Sequence, residues 1–302
     1  MIAPRVWVRQ SVPGDLEQAI RNGGGSLVPL EEANAVVWAA DEPEELGRLL
    51  HPGIRWVQLL SAGIEDWFQA GVVDDCRLWT AGKGVHAGPI AEYLLTAILA
   101  AARDVPGYSA ERRWQARPPR RVAGSVVGIV GAGGIGRALI ELLAPFRARV
   151  LALTRGGGTV SGADVSLGRD GLGRLLSESD YVVLAAPETP ETTRMIGAEQ
   201  LALMRGHAWL VNIGRGTVVD TDALVAALRA GQIGGAILDV TDPEPLPHDH
   251  PLWALPNVLV TAHTASSWEL GRSAFLERLR TNVSLFARGE PLVGLVDIDG
   301  GY

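Results

Sequence analysis

Short apolar runs alternate with longer amphipathic stretches along the whole chain, and this alternation predicts its architecture. A short apolar run fits a strand that is buried on both faces. A longer stretch with apolar residues every three or four positions fits a helix. Because repetition of the two is typical of βαβ units on a parallel sheet, the sequence predicts the α/β fold class.

The predicted strands form two groups. The first group comprises Arg5–Val8, Ala35–Ala39, Trp56–Leu60 and Leu78–Trp79; the second comprises Val126–Val130, Arg149–Leu153, Tyr181–Leu184, Ala208–Val211, Ala236–Leu238 and Val258–Val260. Helices are predicted to begin near Asp15, Pro43 and Ile64, and longer ones to span Pro89–Arg103, Arg137–Phe146 and Trp268–Arg288. The segment Glu111–Arg121 is rich in proline and arginine and has no periodicity, so it is predicted to connect two compact units.

Composition narrows the class of protein. A chain of 302 residues that is 47% hydrophobic can bury large cores. Its net charge of -7 and the lack of a basic tract in the sequence argue against a sequence-independent nucleic-acid binder. The single cysteine, Cys76, can form neither an intrachain disulfide nor a thiolate cluster, so no metal site is predicted. The N-terminus has no signal-peptide pattern, and apolar stretches such as Ala91–Ala102 are too short to span a bilayer. These features predict a cytoplasmic protein.

A glycine-rich loop follows the predicted strand Val126–Val130. The segment GAGGIG, residues 131–136, lies between that strand and an amphipathic helix, which is the order required for binding a dinucleotide. Gly131 would make the tight turn, Gly133 would let the backbone approach a pyrophosphate, and Gly136 would let helix and strand pack closely. The pyrophosphate would bind the helix N-terminus around Gly134 and Ile135. The alternative is a structural turn that binds no nucleotide.

The end of the next predicted strand indicates the cofactor. An NAD-binding domain places Asp or Glu there to bind the ribose hydroxyls. In this chain Thr154 and Arg155 follow the strand, and the first carboxylate is Asp164. A hydroxyl beside a guanidinium can bind a 2′-phosphate, so NADP(H) is predicted to be preferred, with NAD(H) possible. The alternative is that Arg155 is a solvated loop residue.

Three later strands end in polar segments, Val211–Asp220, Asp239–Leu246 and Val260–Ser266. In an open α/β sheet, residues at the carboxyl ends of strands face the ligand. Reduction of a 2-oxo acid needs a cation for the substrate carboxylate and a proton donor for the developing alkoxide. Arg215 can supply the first, and His263, oriented by Glu244, the second.

Each of these residues also has a structural interpretation. A lone arginine in a turn often forms a surface ion pair, a glutamate before proline is often solvated, and a histidine after a strand is often structural. Asp239 could contact a nicotinamide amide or could cap a turn. Arg215, Glu244 and His263 nevertheless follow successive predicted strands, in that order, downstream of a dinucleotide loop. Chance explains that arrangement poorly.

The chain resembles the D-isomer-specific 2-hydroxyacid dehydrogenases. The segments that carry the resemblance are GVHAGPIAEYLLTAILAAARD, GAGGIGRAL, PETPETTRMIG, LVNIGRGTVVD, ILDVTDPEPLP and HPLWALPNVLVTAHTAS. The resemblance implies a flavodoxin-like substrate domain formed by residues 1–95 and 270–302, and a doubly wound, Rossmann-like NAD(P)-binding domain formed by residues 96–269. It also implies that Arg215 binds the substrate and that Glu244 and His263 form the acid-base relay. Ala262 stands where the family commonly has proline.

The resemblance implies further contacts. Ala62 and Gly63 would bind the acid through backbone N–H groups, and Ser266 and Trp114 would line its pocket, Trp114 from a partner subunit of a homodimer. The remaining residues expected to contact the cofactor are Pro187, Thr192, Ile213, Gly214 and Asp239.

The leading functional hypothesis is an NAD(P)-dependent reductase of a small 2-oxo acid, of the glyoxylate or hydroxypyruvate type. A dinucleotide-sensing regulator on the same fold is an alternative, and an exposed peptide-binding cleft would distinguish it. A phosphite or formate dehydrogenase relative is a third hypothesis, but pairing of Glu244 with His263 argues against the formate version, which resembles a Gln and His arrangement.

Overall fold

The computed structural model describes residues 3–9, 14–40, 42–111 and 114–298. The chain divides into two compact units: unit 1 comprises Met1–His86 and Ser267–Tyr302, and unit 2 comprises Ala87–Ser266. The boundary expected after residue 95 falls inside a continuous helix, and an uninterrupted helix carries no sequence mark of where a unit begins. Arg112 and Arg113, in the predicted connection, lie outside the described residues.

Strands and helices alternate along most of the chain. The strands are β1 (Arg5–Val8), β2 (Ser26–Leu27), β3 (Ala35–Trp38), β4 (Trp56–Leu59), β5 (Leu78–Thr80), β6 (Val126–Val130), β7 (Arg149–Leu153), β8 (Val165–Leu167), β9 (Tyr181–Leu184), β10 (Trp209–Asn212), β11 (Gly235–Leu238) and β12 (Val258–Val260). The helices are α1 (Gly14–Asn22), α2 (Pro43–Leu49), α3 (Glu65–Gln69), α4 (Ala87–Ala102), α5 (Val105–Glu111), α6 (Gly134–Leu143), α7 (Leu172–Glu178), α8 (Ala198–Leu203), α9 (Thr221–Arg229) and α10 (Trp268–Arg288).

Unit 1 is built on a parallel sheet with the strand order β2-β1-β3-β4-β5. Its core contains the fully buried indoles of Trp38 and Trp56. Helix α10 contributes Phe275, Leu279 and Val283, which are spaced four residues apart and are buried together with α1. After α10 the chain returns to β5, where the two segments form an antiparallel bridge. The two-residue strand β2 was not predicted because it contains no apolar run.

Unit 2 is a doubly wound parallel sheet with the strand order β12-β11-β10-β9-β6-β7-β8. Helices α4 and α6 cover one face, and α7, α8 and α9 cover the other. From β6 the chain builds outward to β8, then returns to β9 and builds in the opposite direction. The carboxyl end of β6 is therefore the topological switch point, where ligands bind in open α/β sheets.

The six strands predicted for this unit are present, and β8 is a seventh. It was missed because Val165–Leu167 is short and its side chains are only partly buried. Helix α6 begins at Gly134, earlier than predicted, because the end of the glycine loop already forms its first turn. Among the helices described, none is long and apolar enough to cross a membrane.

Candidate active site

The glycine loop, residues 131–136, lies at the carboxyl end of β6. Gly131 has φ +98, and a Cβ there would lie 2.7 Å from backbone atoms of Ala185 and Ala186. A Cβ at Gly136 would lie 2.7 Å from the carbonyl oxygen of Gly131 and 3.2 Å from Cγ2 of Ile129. Only glycine fits these two positions, because one needs the left-handed region and both bring backbones into close contact.

Gly133 differs from these two glycines. It lies at the N-cap of α6 in an extended conformation with φ -74, and a Cβ there would meet none of the described atoms within 4 Å. Among the described residues, no side chain caps this helix. The N–H groups of the first turn, at Gly134 and Ile135, therefore border open space. A helix N-terminus favours an anion, so the loop fits the diphosphate of a dinucleotide.

The end of β7 holds Thr154 and Arg155. Thr154 is partly buried, and its N–H donates to the carbonyl oxygen of Leu167 (3.0 Å), while Arg155 is exposed. Asp164, the next carboxylate along the chain, accepts a hydrogen bond from the N–H of Val150 (2.7 Å). Val150 is near the start of β7, so Asp164 is held at the end of the strand opposite to the glycine loop. It cannot take the place of a ribose-binding carboxylate.

Arg215 follows β10 in a loop that a buried carboxamide holds in shape. Asn212 is 1% exposed; its Nδ2 donates to the carbonyl oxygen of Arg215 (2.9 Å), and its Oδ1 accepts from the N–H of Gly214 (3.1 Å). The loop runs close to neighbouring strand ends, since a Cβ at Gly214 would lie 2.6 Å from the carbonyl oxygen of Ala186. The guanidinium of Arg215 donates to the carbonyl oxygen of Gly214 (2.9 Å).

Glu244 and His263 form a hydrogen-bonded pair. Oε1 of Glu244 lies 2.7 Å from Nδ1 of His263, and Oε2 accepts from the N–H of Thr241 at 3.3 Å. Both side chains remain partly accessible, with 56% of the histidine and 39% of the glutamate exposed. Glu244 is in the loop after β11 and His263 in the loop after β12, so the sheet brings them together from 19 residues apart in the chain.

Asp239 holds the segment that carries His263. Its side chain is 2% exposed, and its carboxylate accepts from the N–H groups of Thr264 (2.8 Å) and Ala265 (2.9 Å). Its carbonyl oxygen accepts from the N–H of His263 at 2.9 Å. These contacts give Asp239 the structural role of holding this turn, and its Oδ2, which accepts from the N–H of Ala265, keeps a lone pair with which it can also accept from a nicotinamide amide.

Thr261 and Tyr93 extend this network. The Thr261 hydroxyl donates to Oδ1 of Asp239 (2.5 Å), and the Tyr93 hydroxyl on α4 lies 2.6 Å from Oγ1 of Thr261. Burial raises the pKa of the Tyr93 phenol, the hydrogen bond with Thr261 acts in the opposite direction, and the negative charge of Asp239 adds to the rise. The phenol therefore stays protonated over the neutral range.

The other predicted cofactor residues lie in loops at the same sheet edge. Pro187 is exposed, and its carbonyl oxygen accepts from the Thr192 hydroxyl (2.7 Å), which also accepts from the N–H of Thr189 (2.8 Å). The Thr192 side chain thus stabilises its own turn. Ile213 is buried and is bonded to β9 through its N–H. Ser266, which was predicted to line the substrate pocket, is partly buried at the end of unit 2.

Three residues predicted to bind the substrate, Ala62, Gly63 and Trp114, are outside the loops described above. Ala62 and Gly63 follow β4 in unit 1, where the preceding Ser61 accepts a hydrogen bond from the N–H of Gly82 (2.8 Å). Trp114 belongs to unit 2, and its side chain is fully exposed. Among the described residues, no group of His, Cys, Asp and Glu could hold a metal ion.

Three residues of the site, Asn212, Thr261 and Tyr93, were not predicted from the sequence. Asn212 and Thr261 carried a usable signal, because each is a polar residue at the end of an apolar strand, next to a predicted site residue. Tyr93 carried none, since a tyrosine on an apolar helix is indistinguishable from an ordinary core residue.

Comparisons with known proteins show the family of the chain. Residues 95–265 match the family model for the NAD binding domain of D-isomer specific 2-hydroxyacid dehydrogenases. An uncharacterized protein in the proB 3′ region of Corynebacterium melassecola is 37% identical over 292 residues, covering 94% of this chain and 95% of its own length.

A glyoxylate reductase of Pyrococcus furiosus is 44% identical over 169 residues, or 55% of this chain; the match spans about half of that protein, 49% of its length. A D-isomer specific 2-hydroxyacid dehydrogenase from Xanthobacter autotrophicus Py2, solved in complex with NADPH and MES, superposes with a TM-score of 0.88 at 30% identity, and the match covers 100% of both chains.

Fold, glycine loop and family match together define a nicotinamide-dinucleotide-binding oxidoreductase. The chain belongs to the D-isomer specific 2-hydroxyacid dehydrogenases.

Proposed function

We propose that this protein is an NADP(H)-preferring reductase that converts a small 2-oxo acid, of the glyoxylate or hydroxypyruvate type, into the corresponding 2-hydroxy acid. The observation that carries the proposal is the 2.7 Å pairing of Glu244 with His263 on the unit that also carries Arg215 and the glycine loop. This one unit then holds a dinucleotide site, a proton donor and a cation for a carboxylate.

Each residue has a defined role in this reaction. The dihydronicotinamide of a cofactor held at the glycine loop would supply the hydride for C2 of the acid. Arg215 binds the substrate carboxylate and polarises the carbonyl group. His263, as an imidazolium, donates the proton from Nε2 to the carbonyl oxygen as its negative charge develops and becomes neutral. Glu244 stabilises the imidazolium before the transfer and orients the ring through Nδ1 throughout. In the oxidation direction the same histidine accepts the proton.

The proposed preference for NADP(H) rests on the end of β7. Thr154 and Arg155 offer a hydroxyl and a cation to a 2′-phosphate, and Asp164 is engaged with the N–H of Val150 at the other end of the strand. The glycine loop, with Gly131, Gly133, Gly134, Ile135 and Gly136, would hold the diphosphate. Contacts from Pro187, Thr192, Ile213 and Gly214 would complete the cofactor site. The similar Xanthobacter structure was solved with NADPH.

The substrate site includes residues outside this relay. We assign unit 1 as the substrate domain, and we propose that Ala62 and Gly63 bind the carboxylate through backbone N–H groups and that Ser266 contacts the acid. Trp114 would contact the substrate from the partner subunit of a homodimer. The exposed free Cys76 is compatible with a reducing cytoplasm.

The test is oxidation of NADPH and, separately, NADH by purified protein with glyoxylate, hydroxypyruvate, pyruvate and phenylpyruvate. Turnover with NADPH that is lost in His263→Ala supports the proposal, and the acid with the highest kcat/KM defines the substrate. NADPH binding without turnover on any acid contradicts it and favours a dinucleotide-sensing protein.

A further inference from the structure

The backbone at His263 is strained. Its φ is +53, and among the residues that the structure describes it is one of four non-glycine residues at positive φ. A residue with a Cβ adopts this left-handed conformation at a cost and keeps it only when its surroundings enforce it. In this loop the N–H groups of three consecutive residues, 263 to 265, donate to Asp239.

The hydrogen bonds behind Asp239 have a defined direction. The carboxylate accepts, so the Thr261 hydroxyl gives its single proton to Oδ1 of Asp239 at 2.5 Å. Oγ1 of Thr261 then has only lone pairs left. The Tyr93 hydroxyl, 2.6 Å away, must therefore be the donor to Thr261. The chain of donation runs from Tyr93 to Thr261 to Asp239, and the three residues lie in unit 2.

Burial shields this series of hydrogen bonds from solvent. Asp239 is 2% exposed, and Thr261 and Tyr93 are partly buried, with Tyr93 packed against the core between α4 and the sheet. Water therefore substitutes poorly for a deleted hydroxyl, and an unpaired buried acceptor is costly. Removing the phenol oxygen would leave a lone pair of Thr261 unsatisfied and would remove the contact with α4 that holds the Thr261 side chain in place against Asp239.

We propose that Tyr93 and Thr261 are positioning residues: they fix the carboxylate of Asp239, which in turn holds His263 in the left-handed conformation that aims its imidazole. This inference rests on the proposed function, which makes His263 the proton donor. None of the three residues behind His263 touches the acid in this scheme.

The experiment compares Tyr93→Phe, Thr261→Val and Thr261→Ser with the parent enzyme. Tyr93→Phe and Thr261→Val are expected to lower kcat about tenfold through misplacement of the proton donor, while the KM for the acid and the Kd for NADPH stay within about twofold. Thr261→Ser keeps the hydroxyl and is expected to retain the parent kcat. Tyr108→Phe is the matched control, because that hydroxyl accepts from the N–H of Arg117 in the same unit and has no role in the chain.

A second measurement does not depend on catalysis. The protein has six histidines, so 15N-histidine labelling gives few backbone amide signals, and the His263 signal is identified by its loss in His263→Ala. Hydrogen exchange at the His263 amide is expected to accelerate about fivefold in Tyr93→Phe, the factor that corresponds to the net free energy of one hydrogen bond. Exchange at the other histidines is expected to stay unchanged.

The outcomes separate the inference from the proposed function. Unchanged kcat and unchanged His263 exchange in Tyr93→Phe overturn the inference, as does an equal loss of kcat in Thr261→Ser and Thr261→Val. Failure of the parent enzyme to turn over any acid ends the proposed function, and the exchange rates then decide alone whether Tyr93 holds the His263 turn.

Discussion

Nδ1 of His263 lies 2.7 Å from Oε1 of Glu244, and the other oxygen of the same carboxylate accepts from the N–H of Thr241. A carboxylate accepts hydrogen bonds, so Nδ1 of the imidazole is the donor in this pair. Nε2 is thereby left as the nitrogen that can give a proton to a substrate and take it back. The pairing fixes both the tautomer and the orientation of the ring.

Replacing Glu244 with Gln tests this relationship. The amide keeps the shape and can still accept from Nδ1, but it loses the negative charge that stabilises the imidazolium. We expect kcat to fall by a factor of about 10 to 100, with the Kd for NADPH unchanged. Stopped-flow reduction of the acid and fluorescence titration with NADPH measure the two quantities. Glu199→Gln, at an exposed position on α8, is the control. A full kcat in Glu244→Gln would remove the glutamate from the mechanism.

Two glycines of the same loop should respond oppositely to alanine. Gly133→Ala adds a methyl group that meets no described atom within 4 Å, at φ -74, so the fold should tolerate it. We expect its Tm to change by no more than about 2 °C and its Kd for the cofactor to rise at least about tenfold, since the methyl group enters the space proposed for the diphosphate.

Gly131→Ala is the matched comparison. Its φ of +98 and a 2.7 Å clash with the backbone at Ala185 predict a loss of about 2 kcal/mol or more in the free energy of unfolding. Urea denaturation measures this loss. If Gly133→Ala bound the cofactor like the parent enzyme, the diphosphate would have to lie elsewhere.

Arg155→Ala should change cofactor preference. Loss of a charge-assisted hydrogen bond to a 2′-phosphate is expected to raise the KM for NADPH about tenfold or more and to leave the KM for NADH nearly unchanged. Steady-state kinetics with both cofactors measure the change. Arg229→Ala, which removes an exposed arginine from α9, controls for net charge. Equal effects on the two cofactors would place Arg155 away from the 2′-phosphate.

The sequence predicted the parts of the site that leave a local pattern. The glycine loop stands between an apolar strand and an amphipathic helix, and Arg215, Glu244 and His263 each follow an apolar strand, so their position and residue type made them candidates. The link from Tyr93 to Thr261 joins residues 168 positions apart, and no local periodicity reports such a contact. Strands of two or three residues, such as β2 and β8, were not predicted for a related reason: they are too short to show alternation or an apolar run.

Asp180 is predicted to make stability depend on pH. Its carboxylate accepts from the N–H of Val126 (2.8 Å) and from Arg205 (3.0 Å) and pairs with His207 (2.7 Å). Burial alone would raise the pKa of Asp180, but these hydrogen bonds outweigh burial and hold the pKa below its usual value. Since the pKa is lower in the folded state, the stabilisation is complete above the unfolded-state pKa and is lost as pH falls through the folded-state pKa.

Asp180→Asn should therefore lower the free energy of unfolding at pH 7 by about 1 to 3 kcal/mol, and the difference from the parent should shrink below about pH 4. Urea denaturation at a series of pH values measures it, with the exposed Asp170→Asn as control. A difference that stays constant with pH would show that the ionised carboxylate is not what stabilises the fold.

The chain divides into two compact units at residues 86 and 266. In the proposed scheme, substitutions in the two units would affect different properties of the enzyme. The cofactor site, the proton donor and the arginine that binds the substrate carboxylate all lie within residues 87–266 in this scheme, so one folded body keeps their mutual geometry. The loop with Ala62 and Gly63 belongs to the other body. Because Ala62 and Gly63 are proposed to bind through their backbone N–H groups, side-chain changes in that loop would alter which acid fits while the proton donor and the cofactor site stay the same.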